Sequence, residues 1–152
     1  MGPSDIRTLF NLANDPVYRS LSINTRPITW EEHSGWFERS SGNPCNKMYL
    51  FDEASGKKDV ALVRIEFKKS LNQWYISIVV DSQCRGQGIG QNALGLAIEQ
   101  FHKEHQEVQT VFAEVKHGNM SSLKIFKNQG FKTLREGELF LLQRILQVEK
   151  AE

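Results

Sequence analysis

Apolar positions recur along the chain with two different periods. Leu94, Ala97, Ile98 and Phe101 stand three or four residues apart, on one face of an amphipathic helix. Two earlier stretches alternate instead. Residues 60–67 set Ala61, Val63, Ile65 and Phe67 against Leu62, Arg64 and Glu66. Residues 74–80 set Trp74, Ile76, Ile78 and Val80 against Tyr75, Ser77 and Val79. Such alternation marks a strand with two unlike faces. Residues 48–51 and Thr110–Lys116 read as further strands, and Lys132–Glu136 with 139–146 as a closing hairpin around Glu136-Gly137.

Punctuation residues set the other elements. Asp5 is placed to cap a helix reaching about Asn14, with Leu9, Phe10 and Ala13 on one face. Pro16 ends it, because the residue before a proline avoids the helical region. Thr29 and Glu32 have capping-box spacing, so a helix over Trp30–Ser40 follows, with Trp30, His33 and Phe37 sharing a face. Residues 54–58 form a hairpin turn, and Gly130 closes a helix over 121–129. The predicted order is α, α, β, β, β, α, β, α, β, β. It describes one α/β domain over residues 1–152, α+β in stricter usage, with a β-α-β unit at its centre.

Composition narrows the function classes. Apolar residues make up 39% and charged residues 24%, as in a folded soluble domain. Lys+Arg less Asp+Glu is 19 − 18 = +1, which offers no electrostatic footprint for nucleic acid or an anionic membrane. Cys45 and Cys84 lack metal-ligand spacing and read as free thiols, so no metal is expected. No apolar run is long enough to span a bilayer, and Met-Gly-Pro-Ser-Asp has no apolar signal character. The cytoplasm is the location these features predict.

The chemistry concentrates where a strand gives way to a helix, at Arg85-Gly86-Gln87-Gly88-Ile89-Gly90. Glycines let backbone N–H groups converge, and a helix N-terminus adds unpaired donors and partial positive charge. Together they suit a phosphate, with Arg85 available for the same anion. The P-loop is excluded, since Gln91 stands where its lysine would be. The dinucleotide fingerprint is met only from Gly88, with Ala93 as its third small residue, and the hairpin-linked strands before it argue against that fold. The bland alternative is a tight strand–helix turn with no ligand.

Residues 85–90 resemble the R/Q-x-x-G-x-G/A signature of the GNAT acyl-CoA N-acetyltransferases. Downstream, Asn119, Ser122, Gly130 and Phe131 match that family's N-x-x-S/A…G-F segment. The likeness spans about residues 48–146. It implies a mixed sheet with a V-shaped splay between the strands at 74–80 and Thr110–Lys116, helices on both faces, and acetyl-CoA as co-substrate. The backbone of Ile78, Val79 and Val80 would pair with the pantetheine amides. The N–H groups of Gly86, Gln87, Gly88, Ile89, Gly90 and Gln91 would hold the pyrophosphate beside Arg85. Asn119 would meet the pantetheine or sulfur end, and an N–H near Val80 the oxyanion.

The same resemblance places a general base at Glu114, with Glu66 as runner-up. Phe126 departs from the pattern: it stands where the family carries a tyrosine that protonates the thiolate, leaving Tyr75, Ser122, solvent, or a step that needs no acid. The family's first strand would be missing or a stub within residues 1–4. Asn14, Asp15, Pro16, Arg19, Glu32, His33, Trp36 and Phe37 resemble a subgroup that acetylates amino-sugars on nucleotide carriers. In that reading Asn14, Arg19, His33 and Trp36 bind a small-molecule amine, and a homodimer is admitted. A protein or peptide amine, another small amine, and a non-catalytic CoA-binding relative are the alternatives.

Overall fold

The computed structural model describes residues 5–146. Helix α1 (Ile6–Ala13) buries Leu9 and Leu12, so Leu12 takes the inward place expected of Ala13. Asp5 occupies the cap position, yet its side chain makes no capping hydrogen bond, contrary to the reading above. A one-turn helix, α2 (Pro16–Ser20), follows that the apolar pattern did not reveal. Asp15 caps it by accepting the Tyr18 N–H at 3.0 Å, and Pro16 sits at its first position, where a fixed φ helps and a missing N–H costs nothing. Helix α3 (Trp30–Ser40) starts with the predicted capping box, the Glu32 amide donating to Thr29 and the Thr29 amide to Glu32.

Strands β1 (Asn46–Phe51), β2 (Ala61–Lys68) and β3 (Gln73–Val80) form the expected antiparallel meander. Helix α4 (Ile89–Glu104) crosses over to β4 (Thr110–Lys116), and α5 (Met120–Asn128) leads to β5 (Lys132–Glu136) and β6 (Leu139–Ile145). The six strands lie in the order β1-β2-β3-β4-β6-β5, with β3 and β4 parallel. Residues 1–4, where a stub strand was expected, lie outside the described residues.

The sheet separates two apolar clusters. On one face the alternating set of β2 and β3 packs with Leu94, Ala97, Ile98 and Phe101 of α4 and with Leu123 and Phe126 of α5. On the other, Leu62 and Val79 meet Leu9, Leu12 and Phe37 of α1 and α3. The predicted period-2 and period-3.6 faces are therefore the ones buried. His105 is packed rather than solvated, its ring 4.7 Å from Phe101 and 5.3 Å from Trp74.

Candidate active site

The glycine turn assigns a different task to each glycine. Gly86 and Gly88 have φ of 78° and 77°, a left-handed backbone that side-chain-bearing residues rarely adopt. A Cβ on either would meet nothing within 4 Å, so the loop presents bare backbone to open space. Gly90 is instead wedged: a Cβ there would lie 3.1 Å from Ile125 Cδ1 and 3.1 Å from Val80 Cγ2. No side chain caps α4 at Gly88, so the first N–H groups of this 16-residue helix are left for another acceptor. A bare loop and an uncapped helix start suit the pyrophosphate of acetyl-CoA.

Beside the turn the sheet opens. Parallel pairing between β3 and β4 is confined to Trp74–Val111 and Tyr75–Phe112. Beyond that point the strands part. The Asp81 N–H bonds the Val60 carbonyl of the neighbouring meander strand. With a period of two, the backbone groups of Val79 also turn toward β2, whereas those of Ile78 and Val80 face the gap. Ile78 and Val80 can therefore accept an added strand-like ligand, and Val79 contributes its side chain alone. A cleft of about 340 Å³ runs from the gap to the glycine turn, lined by Val80, Gly88, Gln91, Asn119 and Ile125 among others. Acetyl-CoA fits this lining, with amides for its diphosphate and an apolar slot for its arm.

A second cleft of about 280 Å³ lies across the sheet, under α1–α3, lined by Arg19, Glu32, His33, Trp36, Arg64, Ser77 and others. The two clefts share Tyr18, Ile78 and Val79. His33 is 3% exposed. Its Nε2 lies 3.0 Å from the Ile6 carbonyl, which can only accept, so the proton sits on Nε2 and Nδ1 keeps a lone pair. Burial holds His33 below the ordinary histidine range, against the opposing pull of that carbonyl, so the ring is neutral. The Glu32 charge is matched by Arg26 at 2.9 Å. Arg19 has its Nε buried and unpartnered, and the Arg64 guanidinium stands 5.6 Å from the Trp36 ring centre.

The sequence-predicted residues divide accordingly. Arg19, His33 and Trp36 meet in the second cleft. Asn14 is outside it, its amide bonded both ways to the Ile28 backbone at 2.7 and 2.8 Å, so it holds the loop before α3. Arg85 borders the first cleft but is paired with Asp15 at 2.9 Å. Asn119 does two things: it lines the cleft and its Oδ1 caps α5 at the Ser122 amide. Glu114 lies on the α1–α3 side of β4, paired with Lys68 at 3.1 Å, and borders neither cleft. Glu66 is near Arg64 at 3.8 Å. Tyr18 and Arg64 were not anticipated. Both face their cleft only through tertiary packing, although the Asp15-Pro16 cap signal pointed to a helix that would carry Tyr18.

The acetyltransferase (GNAT) domain profile matches residues 1–132. An uncharacterised protein of Methanocaldococcus jannaschii is 23% identical over 88% of this chain, which spans only 27% of that relative's length. A Bacillus subtilis protein provisionally named a phosphinothricin acetyltransferase is 26% identical over 84% of this chain and 78% of its own. Among solved structures, the Vibrio cholerae spermidine N-acetyltransferase in complex with CoA and spermine superposes with a TM-score of 0.80 at 13% identity, covering 95% of this chain and 92% of the other.

Proposed function

The chain belongs to the GNAT acetyltransferases, acetyl-CoA-dependent N-acetyltransferases, and we propose that its acceptor is the primary amine of a small molecule, best matched by an amino-sugar on a nucleotide carrier. The meeting of the two clefts at Ile78 and Val79 carries this reading. It lets a thioester laid in the gap meet an amine brought from under α1–α3. The Val80 N–H, aimed into the gap, is the donor for the oxyanion that forms during attack.

The lining speaks for an acceptor with an anionic part. Glu32 is neutralised by Arg26 and Arg64 is shared with Glu66, whereas the Arg19 guanidinium leaves positive charge at the wall that also carries Trp36. A nucleotide phosphate and a sugar or base ring satisfy both features. A polyamine, such as the ligand named for the Vibrio cholerae enzyme, would meet like charge. For the base we favour His33, neutral and in the acceptor cleft, over Glu114, which is engaged by Lys68.

Thiol release from acetyl-CoA, followed over a panel of nucleotide-linked amino-sugars, amino acids, N-terminal peptides and spermidine, tests this. Turnover greatest with an anionic amine supports it. Turnover greatest with spermidine removes the acceptor reading. CoA binding without turnover on any amine favours the non-catalytic alternative.

A further inference from the structure

When an amine displaces the thiol of a thioester, the N–C bond forms as the C–S bond breaks. The sulfur leaves as a thiolate and must gain a proton. Phe126, at the helix position where the resemblance expects a tyrosine, is 3% exposed and packs edge-on to Phe131 at 5.0 Å. It has no proton to give. Tyr75 is committed elsewhere: its hydroxyl donates to Gln73 at 3.1 Å, its ring stacks on Phe112, and it borders neither cleft. Ser122 borders the cofactor cleft only, and an aliphatic hydroxyl is a far weaker acid than a phenol.

We propose that Tyr18 is the proton donor to the departing thiolate, an assignment that rests on the acetyl-transfer reading above. The acetyl group must pass from one cleft to the other, so the sulfur lies where the clefts meet. Of the three residues shared there, Ile78 and Val79 are apolar, and Tyr18 alone bears a transferable proton. Its hydroxyl has no partner among the described residues. Its place is fixed from two sides. Asp15 Oδ1 accepts its amide at 3.0 Å and is itself held by Arg85 at 2.9 Å, while its ring packs on the cluster formed by Leu9, Leu62 and Val79. The step balances: the amine proton passes to the base, the Tyr18 proton to sulfur, and the protonated base returns its proton to the tyrosinate through water. The Arg19 guanidinium, 5.4 Å from the ring centre, steadies that anion meanwhile.

Tyr18→Phe keeps the ring and removes the proton. We expect kcat to fall by at least about tenfold while the KM for acetyl-CoA changes little, and the alkaline limb of the kcat profile to disappear. Tyr75→Phe should retain both rate and limb. A crystal structure of the wild-type CoA complex should place the sulfur within about 3.5 Å of Tyr18 Oη, a readout that stands even if the variant does not fold. Wild-type kcat in Tyr18→Phe, or a sulfur beyond the reach of the hydroxyl, overturns the assignment and leaves acetyl transfer standing. No turnover by the wild type on any amine sinks both.

Discussion

Single residues here carry charge states that solution experiments can read. His33 is neutral because burial disfavours the cation. The unfolded chain takes up a proton at this residue near pH 6.5 and the folded chain does so only lower. Acidification below that value therefore favours unfolding. We expect the Tm to fall from about pH 6.5 downward, and His33→Gln, read by thermal melts across pH, to flatten that part of the curve; a slope unchanged in the variant removes His33 as its source. Asp15 behaves in the complementary way. Burial works to raise its pKa, but the Tyr18 amide and the Arg85 guanidinium outweigh it and hold the carboxyl below 3.8. Its contribution is present above that value and is lost as pH falls through the lower folded value. Asparagine also caps helices, so Asp15→Asn isolates the Arg85 contact and should cost less than Asp15→Ala, which removes cap and ion pair together, about 1–2 kcal/mol by chemical denaturation. For the base, His33→Gln should reduce kcat by about 10²-fold or more, whereas Glu114→Gln should leave most of it. The reverse order would return the role to Glu114.

At the scale of elements, the glycine turn divides conformational freedom from packing. Gly90 lies against Val80 and Ile125, which both line the cofactor cleft. Gly90→Ala requires the Ile125 and Val80 side chains to give by a few tenths of an ångström, at about 1–3 kcal/mol for an overpacked contact. Calorimetry should record weaker CoA binding together with a lowered Tm. Gly88→Glu has room for its Cβ but places a carboxylate among the amides that face the diphosphate, and a left-handed φ of 77° strains any side-chain-bearing residue. We expect CoA binding to be lost there; retained affinity would move the diphosphate elsewhere. What the sequence disclosed follows from the same physics. Strands with alternating faces and the long helix α4 were legible because burial imposes a period on many residues in a row. Helix α2 was not, since one turn is too short to show a period, and only Asp15-Pro16 hinted at it. The left-handed turn at Gly86 and Gly88 was legible through the order of its glycines. Tyr18 was hidden, because bordering two clefts is a property of packing between distant elements.

For the molecule as a whole, the decisive feature is a sheet that stops pairing halfway along two parallel neighbours. An open β3 edge leaves the N–H groups of Ile78 and Val80 without a strand partner, while those of Ser77 and Val79 are turned toward β2. Amide exchange followed by NMR separates the two sets. Without ligand, Ile78 and Val80 should exchange much faster than their neighbours. Saturating CoA, by pairing its amides along that edge, should slow them selectively. Selectivity matters because any ligand of the folded state also slows exchange that proceeds through global unfolding, by about 2.7 kcal/mol at a hundredfold excess over Kd. The ratio of Ile78 to Val79 protection removes that common factor. A ratio that CoA leaves unchanged means that the arm does not lie along β3, and the thioester then has no route to the place where the two clefts meet.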